Sequence, residues 1–316
     1  MICLAVDLLG ADTAEEELCR GALAALHERD DLSLYLCGHA ERLRPCLSEA
    51  DIRRADIVDA AEITNHDNPM LVYKREDASL VRALGLVKSG QADGVVTCGS
   101  TGAVLVSSLM LLGSVHGLRP ILAVELKGAT GAPFLLLDCG ANIDSRAELY
   151  VSYAKLGHAY MRSIGEENPR ISLLSNGAEK TKGCEAVKAA HELLKKEPFH
   201  FIGNIEPNHA LLGETDVIVC DGFHGNILLK SIEGTAGAVL GQVKAALPDT
   251  PEVASALASV RRMYDYNTQG GALLLGVRGL VLKGHGAATG DAVKHMLLRA
   301  ATLSENGFLS RVDAAF

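Results

Sequence analysis

Short apolar runs alternate with amphipathic segments along most of the chain. The runs are almost continuously hydrophobic, which is typical of strands that are covered on both faces of a largely parallel sheet. Ten runs are predicted as strands: ICLAVD (2–7), LSLYLCG (32–38), ADIVDA (55–60), GVVTCG (94–99), ILAVEL (121–126), FLLLDCG (134–140), ISLLSN (171–176), FHFIGN (199–204), VIVCDG (217–222) and GLVLKG (279–284). Amphipathic segments between them are predicted as helices: 14–29, 78–89, 101–113, 146–163, 182–196, 226–246 and 289–304.

This alternation of strands and helices predicts an α/β fold with a doubly wound, largely parallel sheet. No internal repeat or low-complexity linker divides the chain, so residues 1–316 are predicted as a single domain. Late in the chain, Pro248 and Pro251 separate two helical segments. They predict a short helical hairpin at about 234–265 that projects from the sheet.

Composition and charge narrow the classes of partner. The chain has 316 residues, 48% of them hydrophobic, which suffices for a buried core without metal or disulfide support. Its net charge of -9 argues against nonspecific binding to nucleic acid or an anionic membrane. The eight cysteines show no metal-ligand spacing and are interpreted as buried thiols in a reducing compartment. The N-terminus lacks the features of a signal peptide and no apolar run approaches the ~20 residues that span a bilayer, so we expect a cytoplasmic protein.

Four predicted strands end in the same pattern: the apolar run is followed by glycine and small polar residues, and then by a predicted helix. The four segments are VVTCGSTGA (95–103), LLLDCGANID (135–144), VIVCDGFHGN (217–226) and VLKGHGAATG (281–290). Glycine lets the backbone turn tightly and approach a ligand, and the following helix directs free N–H groups at the break. Such breaks gather at the carboxyl ends of strands in an open α/β sheet. Together they predict an anion site, with phosphate as the expected anion.

Each of these segments has a simpler interpretation. A glycine-rich turn after a strand is often only a turn, and none of the four fits the P-loop or dinucleotide patterns. Asp138 and Asp221 could cap helices or brace their turns, or contact substrate directly. His224 and His285 flank glycines, which leaves ligand contact open for both. The segment GAEKTKGCE (177–185), with Lys182, could be a solvated first helical turn.

Five motifs together resemble one family, the acyl-ACP:phosphate acyltransferases of bacterial phospholipid synthesis, known as PlsX. The family's VDAMGGD is similar to VDLLGAD (6–12), SAGNTGA to TCGSTGA (97–103), and LLDLGANVD to LLDCGANID (136–144). Its VCDGFTGNVLLKTLEG is similar to VCDGFHGNILLKSIEG (219–234), and YGGAPLLGVNGVVIIGHG to QGGALLLGVRGLVLKGHG (269–286). The resemblance runs over nearly the whole chain.

The resemblance implies a Rossmann-like sheet with isocitrate/isopropylmalate dehydrogenase-like architecture, a homodimer, and conversion of acyl-ACP and inorganic phosphate to acyl phosphate and free carrier protein. It implies catalytic roles for Lys182 and Asn226. We expect no metal or other cofactor. Phosphate is a nucleophile near neutral pH, so the reaction needs positioning and charge stabilisation more than a covalent intermediate. On this hypothesis Gly222 and Gly225 give the chain a tight turn and Asn226 donates to the developing oxyanion. The residues expected to bind substrate or phosphate are Asp7, Gly99, Ser100, Thr101, Gly102, Asp138, Gly140, Asn142, Asp221, Gly222, His224, Gly225 and His285.

Departures from the family pattern leave alternatives open. Ala11, Thr13, Glu15 and Ser100 replace the family's residues in the first two glycine loops, and the loop around Lys182 lacks an expected carboxylate and amide. An acyl-CoA donor, or an enzyme-bound acetyl thioester as in component C of glycine reductase, is one alternative. A catalytically weak paralogue that binds a carrier protein is another.

The hairpin is shorter than in the family, so we expect at most weak peripheral membrane association. An acidic carrier protein would instead need a local basic patch. The candidates for such a patch are Lys74, Arg75, Arg261 and Arg262.

Overall fold

The computed structural model describes residues 1–62, 68–264 and 270–316. The strands in these residues are β1 (Ile2–Asp7), β2 (Leu32–Gly38), β3 (Ala55–Asp59), β4 (Gly94–Thr97), β5 (Ile121–Lys127), β6 (Pro133–Leu137), β7 (Ile171–Leu174), β8 (Phe201–Ile205), β9 (Val217–Val219), β10 (Ala272–Leu275) and β11 (Leu280–Lys283). The α-helices are α1 (Glu15–Glu28), α2 (Ala40–Leu43), α3 (Ser79–Lys88), α4 (Thr101–Leu112), α5 (Ala147–Ser163), α6 (Glu185–Leu194), α7 (Gly222–Ala246), α8 (Pro251–Tyr264), α9 (Gly290–Glu305) and α10 (Phe308–Ala314).

The chain divides into two compact units. The first unit comprises Met1–Pro120 with Gly270–Ala314 and Phe316, and the second comprises Ile121–Gln269 with Ala315. Strands of the first unit lie in the order β3-β2-β1-β4-β11-β10 and those of the second in the order β5-β6-β9-β7-β8. Pairing is parallel except between β10 and β11 and between β5 and β6. The predicted α/β class with a largely parallel sheet is confirmed, whereas the assignment of residues 1–316 to one domain stays a prediction.

The ten predicted strands are all present, but β10 was missed. Its run ALLL is only four residues long and is bounded by Gly271 and Gly276, so periodicity alone does not distinguish it from a loop or a helix end. Hydrophobic burial explains why the other runs form strands, since β4, β7 and β11 are buried at every position.

The predicted helical hairpin is present as α7 and α8, joined by residues 247–250. The predicted end of the hairpin, residue 265, lies outside the described residues. None of the helices described in 1–62, 68–264 and 270–316 has the length and apolar character needed to cross a membrane.

Close packing of α5 places its first turn near the start of α7. A Cβ atom on Gly157 would lie 2.6 Å from Cγ1 of Val217, so glycine lets the helix approach β9. Tyr150, Tyr153 and Tyr160 lie on the packed side of α5 and are almost completely buried. The hydroxyl of Tyr150 consequently reaches the segment that links β9 to α7.

All eight cysteines are free thiols. Five are buried, as predicted, and they are Cys19, Cys37, Cys98, Cys139 and Cys220. Cys3 and Cys46 are half-buried, and Cys184 is exposed. Cys184 departs from the predicted burial because it lies in a surface loop just before α6.

Candidate functional site

In the first unit, Asp7 braces the loop that follows β4. Asp7 is paired in register with Thr97, and its carboxylate accepts hydrogen bonds from Thr97 Oγ1 at 2.7 Å and Ser79 Oγ at 2.6 Å. Thr97 Oγ1 in turn accepts a hydrogen bond from the backbone N–H of Gly99 at 3.0 Å. Burial raises the pKa of Asp7 to about 6, against the opposing effect of the hydroxyl donors. Asp7 therefore holds the glycine loop through the hydroxyl of Thr97.

The loop itself continues into the N-terminus of α4. Ser100 caps this helix, because its hydroxyl accepts a hydrogen bond from the N–H of Ala103. The candidates Thr101 and Gly102 form the first turn. His285 follows β11, the strand beside β4, and its Nδ1 accepts a hydrogen bond from the N–H of Ala287 at 3.1 Å. The first unit thus places Asp7, residues 99–102 and His285 at the ends of neighbouring strands.

In the second unit, Asp138 organises the turn after β6. Its buried carboxylate accepts hydrogen bonds from the backbone N–H groups of Leu122, Gly140, Ala141 and Asn142 and from the side-chain amide of Asn142. Burial raises the pKa of Asp138, while these donors oppose the rise. Such a set of contacts indicates a brace for the turn, which is one of the two interpretations that the sequence left open.

The start of α7 is packed onto that same turn. The N–H of Gly222 donates to the carbonyl oxygen of Asn142 at 2.7 Å, and a Cβ on Gly225 would overlap the carbonyl oxygen of Asp138. Asn226 lies next, with its Cγ 3.8 Å from where a Cβ on Gly140 would be. The expectation that Gly222 and Gly225 form a tight turn is wrong, because both lie in the first turn of a helix and are required there for close approach.

Asp221 joins the helix start to two other side chains. Its Oδ1 caps α7 by accepting from the N–H groups of Phe223 and His224, both at 3.0 Å. Its Oδ2 lies 2.6 Å from Nδ1 of His224 and accepts from the hydroxyl of Tyr150 at 3.2 Å. Burial and the charge of Asp221 raise the pKa of Tyr150, so the phenol stays protonated and serves as a donor. Asp221 is only 6% exposed, and both of its carboxylate oxygens accept hydrogen bonds.

The loop that carries Lys182 is held by groups that sequence reasoning missed. Asn176 Oδ1 accepts a hydrogen bond from the N–H of Gly183 at 2.9 Å. The side-chain amide of Asn204 donates to the carbonyl oxygen of Glu179 at 2.9 Å, and Nδ1 of the buried His191 lies 2.9 Å from Asn204 Oδ1. Two polar side chains in the sequence could have indicated this network: His191 on the buried face of α6 and Asn204 within β8.

Lys182 itself is exposed, and its loop leads directly into α6. The helix begins after Cys184 without a side-chain cap, so no side chain of the described residues occupies the N–H groups of its first turn. Gly183 has φ of +92°, a conformation that favours glycine and fixes the direction in which the helix starts. An uncapped helix N-terminus beside a lysine is a favourable environment for an anion.

A cavity of about 440 Å³ brings part of the predicted site together. Asn176, Gly183 and Cys184 of the lysine loop lie on one side, and Asp221 and His224 of the α7 start lie on the other. Asn226 is not among the lining residues, because two positions along a helix turn its side chain away from that of His224.

Ser175 also lines this cavity, and it was not predicted. Its side chain is buried, and its Oγ has no hydrogen-bond partner among the described residues. An unpartnered buried hydroxyl costs free energy unless a ligand or water satisfies it. The hydroxyl is therefore available to a ligand in the cavity.

An apolar groove of about 590 Å³ adjoins the cavity. The two share Pro207, Leu228 and Ser231 in their linings. The remainder of the groove is formed mainly by apolar side chains of α7 and α8, namely Ile232, Ala236, Val239, Leu240 and Val260. The groove has the chemistry of a site for a hydrocarbon chain.

The fold places the chain in a structural class of α/β proteins that includes a phosphotransacetylase. The phosphotransacetylase of Streptococcus pyogenes superposes with a TM-score of 0.62 at 20% sequence identity, over 96% of this chain and 94% of that one. This likeness concerns the fold alone, and it confirms the predicted fold class.

Sequence similarity assigns the chain to a family that is narrower than this structural class. The chain belongs to the fatty acid synthesis protein family, whose model matches residues 2–311. It is 37% identical over 324 residues to the phosphate acyltransferase of Clostridium perfringens strain SM101, covering 98% of this chain and 95% of that protein. It is 39% identical over 307 residues to the phosphate acyltransferase of Halalkalibacterium halodurans, covering 94% and 91%. The resemblance drawn from the motifs is confirmed.

Proposed function

We propose that the chain is a phosphate acyltransferase that moves the acyl group of an acyl carrier protein thioester to inorganic phosphate, releasing acyl phosphate and the free carrier thiol. The observation that carries this proposal is near full-length similarity to proteins named phosphate acyltransferase. The cavity between the lysine loop and α7 supports it, since its lining includes Gly183, which directly follows Lys182, and the unpartnered hydroxyl of Ser175.

Phosphate binds on this proposal at the uncapped start of α6. The ammonium of Lys182 and the N–H groups of the first helical turn neutralise the dianion, and the braced loop keeps them in place. Positioning matters most here, because phosphate needs no activation to attack a thioester.

The acyl chain occupies the apolar groove that continues from the cavity. Its thioester then lies where groove and cavity meet, beside Leu228 and Ser231 and within reach of phosphate. Burying the chain against apolar side chains contributes about 0.8 kcal/mol for each methylene removed from water. Donors with longer acyl chains should therefore bind more tightly until the groove is filled.

The remaining predicted residues keep supporting roles in this proposal. Asp138 and Asp221 brace the turns that present Gly140, Asn142 and the start of α7. In the first unit, Asp7, residues 99–102 and His285 form a second group of candidate anion-binding residues. Asn226 is retained as a candidate donor to the oxyanion, with Ser175 as its competitor. The homodimer implied by the family stays a prediction that light scattering of the purified protein can test.

The deciding experiment measures carrier thiol released by the purified chain with and without inorganic phosphate. Acyl carrier protein thioesters and coenzyme A thioesters of the same acyl groups are compared over a series of chain lengths. We expect phosphate-dependent release from the carrier protein thioester, and Lys182→Ala should raise the phosphate concentration that half-saturates it. Faster release from acyl-CoA would favour the coenzyme A alternative. Absence of phosphate-dependent release from every donor would favour the weak carrier-binding paralogue.

A further inference from the structure

His224 is held in a geometry that directs one ring nitrogen into a hydrogen bond and leaves the other available. Its Nδ1 lies 2.6 Å from Asp221 Oδ2, while its Nε2 has no hydrogen-bond partner among the described residues. The side chain lines the cavity and is 62% exposed. A carboxylate that accepts from Nδ1 fixes the ring orientation, so Nε2 is the nitrogen left to exchange a proton with a ligand.

The carboxylate is itself fixed by groups from two elements. Tyr150 of α5 donates to Asp221 Oδ2, and the N–H groups of Phe223 and His224 donate to Oδ1. The other ionisable groups that line the cavity are the thiols of Cys184 and Cys220. Burial and the nearby thiol and carboxylates raise the pKa of Cys220, which leaves it a neutral thiol.

The proposed reaction needs help at the leaving group. The tetrahedral intermediate can expel either phosphate, which is the weaker base, or a thiolate, whose conjugate acid has a pKa of about 8.5. Phosphate is the better leaving group of the two. An intermediate without assistance at sulphur would mostly return to thioester and phosphate.

We propose that His224 is a catalytic residue that protonates the leaving sulphur of the carrier thioester. The inference rests on the proposed phosphate acyltransferase function. A phosphate oxygen forms a bond to the thioester carbon, and the carbonyl electron pair moves to oxygen. When the carbonyl re-forms, the C–S bond breaks and its electron pair goes to sulphur, which takes the proton from His224 Nε2. The acyl phosphate then returns the proton that the phosphate brought to His224 Nε2, directly or through water, so no oxidant, reductant or co-reactant is required.

The location of His224 agrees with this step. It lies one helical turn before Leu228, which lines both the cavity and the apolar groove. A thioester whose acyl chain enters the groove therefore has its sulphur near the cavity face of the first turn of α7. Capping does not depend on the imidazole, because Asp221 Oδ1 caps the helix through backbone N–H groups. Replacement of the ring therefore leaves the helix start intact.

The test compares leaving groups that differ in their need for a proton. The probes are the acyl carrier protein thioester, whose leaving group is an alkyl thiol, and a thiophenol thioester of the same acyl group, each with inorganic phosphate. His224→Gln should lower kcat/KM for the carrier thioester by roughly 10²-fold or more, the usual contribution of a general acid. The loss with the thiophenol thioester should be under about tenfold, because an aryl thiolate leaves without protonation.

A matched control is His295→Gln. His295 forms a similar surface pair, with its Nδ1 3.5 Å from Asp291 Oδ2 on α9, and it does not line the cavity. This variant should retain wild-type rates with both donors.

The outcomes separate the two levels of the hypothesis. Lack of phosphate-dependent turnover by the wild-type chain overturns the proposed function and, with it, the role of His224. A wild-type chain that turns over while His224→Gln loses rate equally with both donors, or with neither, overturns the general acid alone. A second measurement uses the carrier thioester only: the wild-type rate should fall in deuterium oxide by more than that of His224→Gln. Equal solvent isotope effects would also overturn the inference.

Discussion

At the scale of single residues, the buried carboxylates of the candidate site act mainly on their own loops. Asp7, Asp138 and Asp221 each accept hydrogen bonds from the turn that follows their strand. Sequence alone places an acid at each strand end but does not distinguish a brace from a ligand contact. The distinction depends on which donors surround the carboxylate, and the folded backbone supplies those donors.

Asp7 gives a pH-dependent prediction. Burial raises its pKa from 3.8 to about 6, so the folded state holds the proton more tightly than the unfolded state. The stability that protonation contributes is complete below pH 3.8 and is lost as the pH rises through about 6. We expect the free energy of unfolding of the wild type, relative to Asp7→Asn, to fall by up to about 3 kcal/mol across this window. Denaturant titrations at several pH values measure it, and a difference that is constant with pH would contradict it.

The donor to the oxyanion is a second question at this scale. Asn226 was predicted from the family resemblance, whereas the unpartnered hydroxyl of Ser175 lies in the cavity. If Asn226 donates to the oxyanion, Asn226→Ala should lower kcat by roughly 10² to 10³ with little change in KM. Ser175→Ala should then stay within about tenfold of the wild type. The reverse result, measured by carrier thiol release, would transfer the role to Ser175.

At the scale of secondary structure elements, hydrophobic runs predicted nearly all the strands because many of them, such as β4, β7, β9 and β11, are buried at every position. This prediction from sequence failed where a glycine can serve either in a turn or in the close packing of a helix. Gly222 and Gly225 suggested a turn, but the capping carboxylate of Asp221 starts α7 four residues earlier than the helical periodicity did. These glycines are necessary because a Cβ atom at either position would lie too close to the carbonyl oxygen of Asn142 or Asp138, residues that are distant in sequence.

Gly225→Ala tests this account of the glycines. The added methyl would overlap the carbonyl oxygen of Asp138, which is part of a braced turn and cannot move freely. We expect a loss of at least about 2 kcal/mol in the free energy of unfolding, measured by denaturant titration. Gly234→Ala on the same helix is the matched control, because its Cβ would meet nothing within 4 Å. That change should raise stability by about 0.5 to 1 kcal/mol, and equal effects at the two positions would contradict the close-approach explanation.

At the scale of the whole molecule, the net charge of -9 bears on the proposed reaction, because an acidic carrier protein would be repelled by it. The charge argues for a local contact rather than general attraction, and the exposed arginines 261 and 262 of α8 provide one candidate. Arg75, another candidate, pairs with Asp77 at 3.2 Å. From the sequence, Arg261 and Arg262 were candidates only because of their charge. The structure adds that both are exposed on α8, a helix that also lines the apolar groove.

Charge reversal on α8 is the last test. If the arginines dock the carrier, the double variant Arg261→Glu and Arg262→Glu should raise KM for the carrier protein thioester by about tenfold at low salt and leave kcat nearly unchanged. The difference should shrink as ionic strength rises, because exposed charges are screened within about 10 Å at 0.1 M salt. A small thioester without carrier should show no change in KM. The double variant Lys195→Glu and Lys196→Glu, at exposed positions just after α6, makes the same change in net charge and serves as the control. If this control raises KM for the carrier as much as the double variant does, general repulsion rather than docking at α8 explains the effect.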